Sequence, residues 1–297
     1  VRSFGFALVD VFTDEALGGN PLPLIVDARG LAEAEMRRIA AEFNHSETTF
    51  LLPPTDSRAD RRLRSFTRSG AEFFGAGHNA LGAWWWLAQS GTIAAAGPSA
   101  TFRQEIGEHV LPVEVRSDAA GPRAIGMTQS PPSFGATQTD LAPLAAALRL
   151  EPAELALRGL PAQVVSTGAA HLLVPVRDRA ALERARPDAA PLAALLRAAG
   201  AQGCYLFCLD PLDPAATGQA RFFNPGAGNL EDPATGSAAG PLACHLREHG
   251  VVPAGGTAIF EQGHAMGRPS RIEVSLAGDA VLVLGRAVVV AEGTLRL

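Results

Sequence analysis

Two short glycine turns constrain this chain more than any other feature, because they look like copies of each other. Gly75-Ala76-Gly77-His78-Asn79-Ala80-Leu81-Gly82 follows an extended segment carrying Phe66. Asp232-Pro233-Ala234-Thr235-Gly236-Ser237-Ala238-Ala239-Gly240 follows one carrying Phe222-Phe223. Each opens a run of small and apolar residues that closes, at the same interval, on Gly91 or Gly250. Glycine, small residues and then an apolar run mark a helix entered through a tight turn. Such an end presents unpaired N–H groups and a partial positive charge, which suits an anion. Two of them predict a site that holds one anion from both sides.

The likeness extends outward in order. Gly18-Gly19-Asn20 leads into the apolar run 21–26, as Thr167-Gly168-Ala169 leads into 171–176. Helical stretches follow at 31–43 and 182–199, then strand-like runs at 48–52 and 204–209, each ending near a proline. After the turns, Phe102-Arg103-Gln104 recurs as Phe260-Glu261-Gln262. Several matches in register predict a duplicated α/β unit. The rest of the pattern gives strands at 4–11, 62–67, 100–104 and 109–115, a linker at 117–123, and a helical region at 138–157. Strands at 271–276 and 280–284 close the second half. A last run, 286–296, is expected to return to the first domain. The domains predicted are therefore 1–120 and 121–285. Trp84-Trp85-Trp86 lie on the first glycine-entered helix, where neighbours point about 100° apart, so core together with a domain or subunit contact is expected.

Composition narrows the function. The 297 residues, 47% of them apolar, can bury a large core. A net charge of −5 without a basic cluster argues against a nucleic-acid surface. No apolar run is long enough for a bilayer, no signal-peptide order opens the chain, and three cysteines make no disulfide framework, so a cytoplasmic protein is expected. All 25 basic residues are arginine. Without lysine there is neither a Schiff-base lysine for pyridoxal phosphate nor a P-loop lysine.

Glu47 sits at a helix-to-strand junction between apolar segments, where burial would raise its pKa toward that of a working acid or base. Taken singly, it equally suits a solvated loop or a cap. His78 follows the first glycine turn, where the helix dipole favours neutral imidazole; packing against the core is the alternative. Asp232 and Ser237 flank the second turn, and capping alone would explain either. His245-x-x-Glu248-His249 matches a zinc-protease spacing. It falls in the last turn of a helix, where histidine is favoured without any metal, so no metal site is expected. Cys204 and Cys208 lie in an apolar strand and are expected in the core.

The blocks Val9 to Thr13, Gly18 to Pro21, Asn44 to Phe50, Ala76-Gly77-His78, Glu231 to Ser237, Glu261-Gln262-Gly263 and Met266 to Ser270 together resemble the PhzF-like phenazine-biosynthesis family. The resemblance implies the diaminopimelate-epimerase fold, with two pseudo-repeated domains, each a curved, mostly antiparallel sheet around a central helix. It also implies an active site in the cleft between the domains, a homodimer, and no cofactor or metal. It puts the catalytic glutamate on Glu47, with His78, Asp232 and Ser237 in support, and the substrate-binding positions on Asn20, Gly77, Asn79, Thr235 and Gly236. Gly75 and Asn79 depart from the residues usual there, and both positions are expected to line the substrate cleft. Epimerases of this fold use two opposed cysteines, whose places here look like Ala76 and Asp232. The reaction expected is therefore isomerisation of a small carboxylate by one glutamate. The alternatives are an amino-acid-type epimerase or racemase, and a non-catalytic small-acid binding protein.

Overall fold

A helix with apolar residues on every side has to be enclosed, and this chain encloses two. The computed structural model describes residues 1–94, 96–227, 229–278 and 280–297. Its contacts divide into two units, Val1–Thr128 with Leu284–Leu297, and Gln129–Val283.

In the first unit β1 (Ser3–Val11) pairs antiparallel with β2 (Asn20–Ile25). Helix α1 (Glu33–Phe43) crosses over, and β3 (Glu47–Leu52) returns parallel to β2. β4 (Arg61–Thr67) runs antiparallel to β3 and carries the short β5 (Glu72–Phe73) on its end. Helix α2 (His78–Gln89) leads to β6 (Ser99–Ile106), parallel to β4. β7 (His109–Asp118) and β8 (Gly121–Gln129) then complete an antiparallel meander. α2 packs against β1, β2, β3 and β7, and is buried from Asn79 through Trp85. Trp84 is wholly buried and donates its Nε1–H to Gln104. Trp85 bonds Gln89, whereas half-buried Trp86 reaches Glu292.

The second unit repeats the order and the strand senses. β9 (Ser133–Gln138) and α3 (Ala142–Leu148) precede the pair β10 (Ala162–Ser166) and β11 (Ala170–Pro175). After α4 (Arg179–Arg184) and α5 (Ala189–Ala199), β12 (Gly203–Cys208) lies parallel to β11. β13 (Gly218–Asn224) is antiparallel to β12 and carries β14 (Asn229–Asp232). The buried helix α6 (Gly236–Glu248) leads to β15 (Thr257–Gln262), parallel to β13, then β16 (Ser270–Ala277) and β17 (Ala280–Gly285). β18 (Ala287–Arg296) lies antiparallel beside β1 in the first unit. This is the mixed α/β architecture expected from the sequence.

The repetition reaches individual side chains. Arg64 on β4 forks onto Glu72 on β5, as Arg221 on β13 forks onto Glu231 on β14. Each guanidinium also lies over the phenylalanine two residues on, Phe66 or Phe223. Glu105 on β6 accepts the N–H groups of Thr55 and Asp56, and Glu261 on β15 those of Leu212 and Asp213. This common role matches Glu105 with Glu261, so the sequence match of Phe102-Arg103-Gln104 to Phe260-Glu261-Gln262 is two residues out of register.

Three further expectations differ from the structure. Residues 117–123 are not a linker but the tip of the β7–β8 hairpin, and the first unit therefore runs on to Thr128 rather than ending near 120. The helical region 138–157 shrinks to α3 and a 3₁₀ turn, because Arg149 adopts a left-handed φ of 56° and Pro152 opens a new turn. The helix expected over 182–199 breaks in two at Arg186-Pro187, since proline removes a helix donor and forces its predecessor to extend. Among the described residues no helix is long and apolar enough to cross a membrane.

The two arginine forks should differ in weight. Arg221 is buried and also bonds the Leu182 and Ala185 carbonyls, whereas Arg64 keeps Glu33 as a second carboxylate. Glu231→Ala should therefore destabilise the protein by about 3 kcal/mol, as stranding a buried charge does. Glu72→Ala should lower stability clearly less, and urea unfolding of both variants compares them.

Candidate active site

Glu47 is the first residue of β3, and the parallel β2–α1–β3 crossover delivers it to the strand end next to α2. The α1 helix stops just before it because Asn44 caps it in the left-handed conformation at φ 55°. The Glu47 carboxylate lies 3.4 Å from His78 Nε2, and both side chains are largely buried. Burial raises the Glu47 pKa, and a hydrogen bond from Ser46 opposes the shift without cancelling it. A carboxyl group with a raised pKa, touching an imidazole, is an arrangement suited to proton transfer.

The first glycine turn is built by Asn79. Its Oδ1 accepts the Gly77 N–H at 2.7 Å, while its amide donates to the Gly75 carbonyl and the Ser65 hydroxyl. The side chain is fully buried, so Asn79, expected at the ligand, shapes the turn instead. The Gly77 N–H is likewise engaged within the protein rather than offered to an anion. Asn20, also expected at the ligand, is buried at the start of β2 opposite Val11.

The second turn is held by a different set. Thr235 donates its hydroxyl to Asp232 at 2.5 Å and its N–H to Gln262. Gln262 in turn donates to the Asp232 carbonyl and to Thr235 Oγ1, and accepts from the Tyr205 hydroxyl. Burial and the nearby Asp232 charge raise the Tyr205 pKa, so the phenol stays a donor. Gln129 braces the first turn of α6 by donating to the Gly236 carbonyl. Half-buried Ser237 lies 3.3 Å from His171 Nε2. Sequence reading singled out none of Gln129, His171, Tyr205 and Gln262 as partners of the second turn. His171 and Tyr205 are polar residues inside apolar runs, and the one available signal was that they interrupt them, whereas Gln129 and Gln262 sit among other polar residues.

The repeat also shows how the two units diverge. With Arg64 matched to Arg221, the strand registers put Gly203 at the place of Glu47, and Phe73 at the place of Asp232. A side chain on Gly203 would come within 2.3 Å of the Phe222 ring, so the second unit has no room for an acid there. On the Gly77–Gly236 match, Ala76 corresponds to Thr235. The three cysteines lie buried on β12 and α6, none of them within either turn, with thiols held neutral by burial. His245, of the zinc-like spacing, is wholly buried, and burial pushes its pKa down to about 4. Among the described residues no three His, Cys, Asp or Glu side chains gather to hold a metal.

A family model described as phenazine biosynthesis-like protein, PhzC-PhzF, matches residues 9–293. A protein of Clostridium acetobutylicum named as an uncharacterized isomerase is 32% identical, over 100% of this chain and 99% of its own. The trans-2,3-dihydro-3-hydroxyanthranilate isomerase of Pseudomonas aeruginosa is 32% identical, over 97% of this chain and 98% of its own. Among solved structures, a phenazine biosynthesis protein of the PhzF family from Bacillus anthracis superposes with a TM-score of 0.90 at 28% identity, over the whole of both chains.

The burial of Glu47 has a measurable signature. Its folded pKa lies above the ordinary 4.5, so the folded state binds the proton more tightly than the unfolded chain. Ionising it as the pH rises through that window therefore lowers stability. Glu47→Gln escapes this loss. Its melting temperature should match the parent's near pH 4 and exceed it increasingly toward pH 7. A difference that does not change with pH would show that the carboxyl group is solvated.

Proposed function

The chain belongs to the PhzC-PhzF family of phenazine biosynthesis-like proteins, and from that premise we propose that it isomerises a small unsaturated carboxylate by moving one proton with Glu47. Its relatives are named isomerases, and the chain is an enzyme of that class. The observation that carries the single-glutamate reading is the buried Glu47 carboxylate in contact with His78. Ionised Glu47 takes a proton from a carbon beside a double bond. The C–H electrons shift that bond, and the same carboxyl, its proton exchanging with solvent between the two transfers, delivers a proton to the far end on the same face. One C–H bond breaks and another forms, so the product is an isomer and nothing is released. His78 steadies the carboxylate between the two transfers. Asp232 orients the ligand, and Ser237 with the first α6 amides takes its carboxylate, as helix N-termini favour anions. Stabilising the charge that develops is worth about 3 kcal/mol per well-placed donor.

The divergence of the repeats supports a glutamate with no counterpart in the other unit, since the register puts Gly203 at the place matching Glu47. The place matching Asp232 holds Phe73, whose ring lies so close to Gly75 that a side chain there would meet it at 2.5 Å. Neither Ala76 nor Asp232, the places that the resemblance gives to the two opposed cysteines, supplies a thiol. A homodimer, as the resemblance implies, is part of the same proposal, and sedimentation equilibrium tests it.

The experiment offers the enzyme trans-2,3-dihydro-3-hydroxyanthranilate and related cyclic carboxylates in heavy water. A shifted double bond with deuterium at the new C–H is expected, falling about 100-fold or more in Glu47→Gln. Exchange that survives Glu47→Gln overturns the mechanism. Deuterium at a stereocentre without a shifted bond would make the enzyme an epimerase. Binding without exchange for any such acid would leave a binding protein.

A further inference from the structure

Ser237 has a neighbour that no catalytic role yet uses. His171, on β11, is 2% exposed, and its Nε2 lies 3.3 Å from Ser237 Oγ. Its other ring nitrogen, Nδ1, is buried without a hydrogen-bond partner among the described residues. The ring stands edge-on to Phe222, 5.1 Å between centroids at 88°. Phe222 is itself fixed, because its ring fills the space that Gly203 leaves open, and His171 and Gly203 are partners in the parallel register of β11 and β12. Backbone register, a missing side chain and an aromatic ring thus aim one imidazole nitrogen at one hydroxyl.

Burial holds His171 neutral, its pKa pushed down to about 4, so the ring carries one proton. With that proton on Nδ1, a donor would be buried with nothing to accept it. With it on Nε2, the ring donates to Ser237 Oγ, and the unpartnered group is an acceptor, the less costly of the two vacancies. A hydroxyl that already accepts from the imidazole has its own hydrogen free to donate outward.

We propose that His171 is a positioning residue, present as the Nε2–H tautomer, which turns the Ser237 hydroxyl into a donor toward the substrate carboxylate. This rests on the assignment of Ser237 to that carboxylate under the proposed function. It explains why the helix entrances of the two units differ in chemistry. The residue that follows the turn glycine is His78 in one unit, facing a carboxylate, and Ser237 in the other, facing a neutral ring.

The first test needs no turnover. In full-length protein labelled with nitrogen-15 histidine, long-range proton–nitrogen correlation should show His171 protonated at Nε2 and bare at Nδ1, the signal being assigned by its loss in His171→Asn. Ser237→Ala should shift the Nε2 resonance. Protonation at Nδ1, or no response to Ser237→Ala, overturns the proposal. The second test is a kinetic cycle with trans-2,3-dihydro-3-hydroxyanthranilate. His171→Phe should raise KM about 10-fold with little change in kcat, which is one hydrogen bond's worth of binding. His171→Gln, which keeps a donor, should restore part of the loss. In a Ser237→Ala background His171→Phe should add nothing, because the hydroxyl it acts through is gone. Equal losses in both backgrounds, or none in the parent while Glu47→Gln still abolishes turnover, overturn the role of His171 alone. Turnover that survives Glu47→Gln instead overturns the underlying proton-transfer reading.

Discussion

The two glycine-entered helices have no polar side to give to water, and the rest of each unit follows from that. A helix buried along its length must be surrounded, and strands on several sides of it meet the need in both units. Enclosure creates a second requirement at the entrance, where the backbone turns in and its polar groups lose water. Side chains must replace that water, which is why Asn79 is folded into the first turn and Gln262 into the second. The residues that look most like ligand contacts in the sequence are in part the masonry of these entrances.

With part of the backbone of each entrance satisfied internally, the proposed chemistry falls mainly to the few side chains that project beyond it. In the first unit these are Glu47 and His78, brought together because a strand begins where a helix begins. In the second they are Asp232, whose carboxylate accepts from Thr235 and whose backbone carbonyl accepts from Gln262, and Ser237, which lies beside His171. The same architecture therefore supports unlike pairs.

Much of this was legible in the sequence. The glycine turns, the order of strands and helices, the position of Glu47 at a strand start and the burial of the cysteines all follow from local pattern. What escaped depended on partners distant in sequence. Asn79 follows His78 in a motif, and nothing local says that its amide turns inward to Ser65. His171 sits in an apolar run with no neighbour in the sequence to reveal Ser237. The two-residue error between Phe102 and Phe260 arose because aromatic residues were matched by type, whereas the conserved task belongs to Glu105 and Glu261, each gathering two loop amides. Pro152 and Pro187 are visible as helix breakers among alanine-rich runs, whereas nothing local marks the left-handed turn at Arg149.

Phe222 leaning into the gap at Gly203 has a consequence for how such a molecule can change. A carboxylate at 203 would collide with the ring, and a smaller residue at 222 alone would open a hole and release His171 from its packing. Placing a second glutamate there would thus demand two changes arriving together, each harmful by itself. The asymmetry between the halves works as a ratchet: with the ring in that space, packing opposes either change made singly.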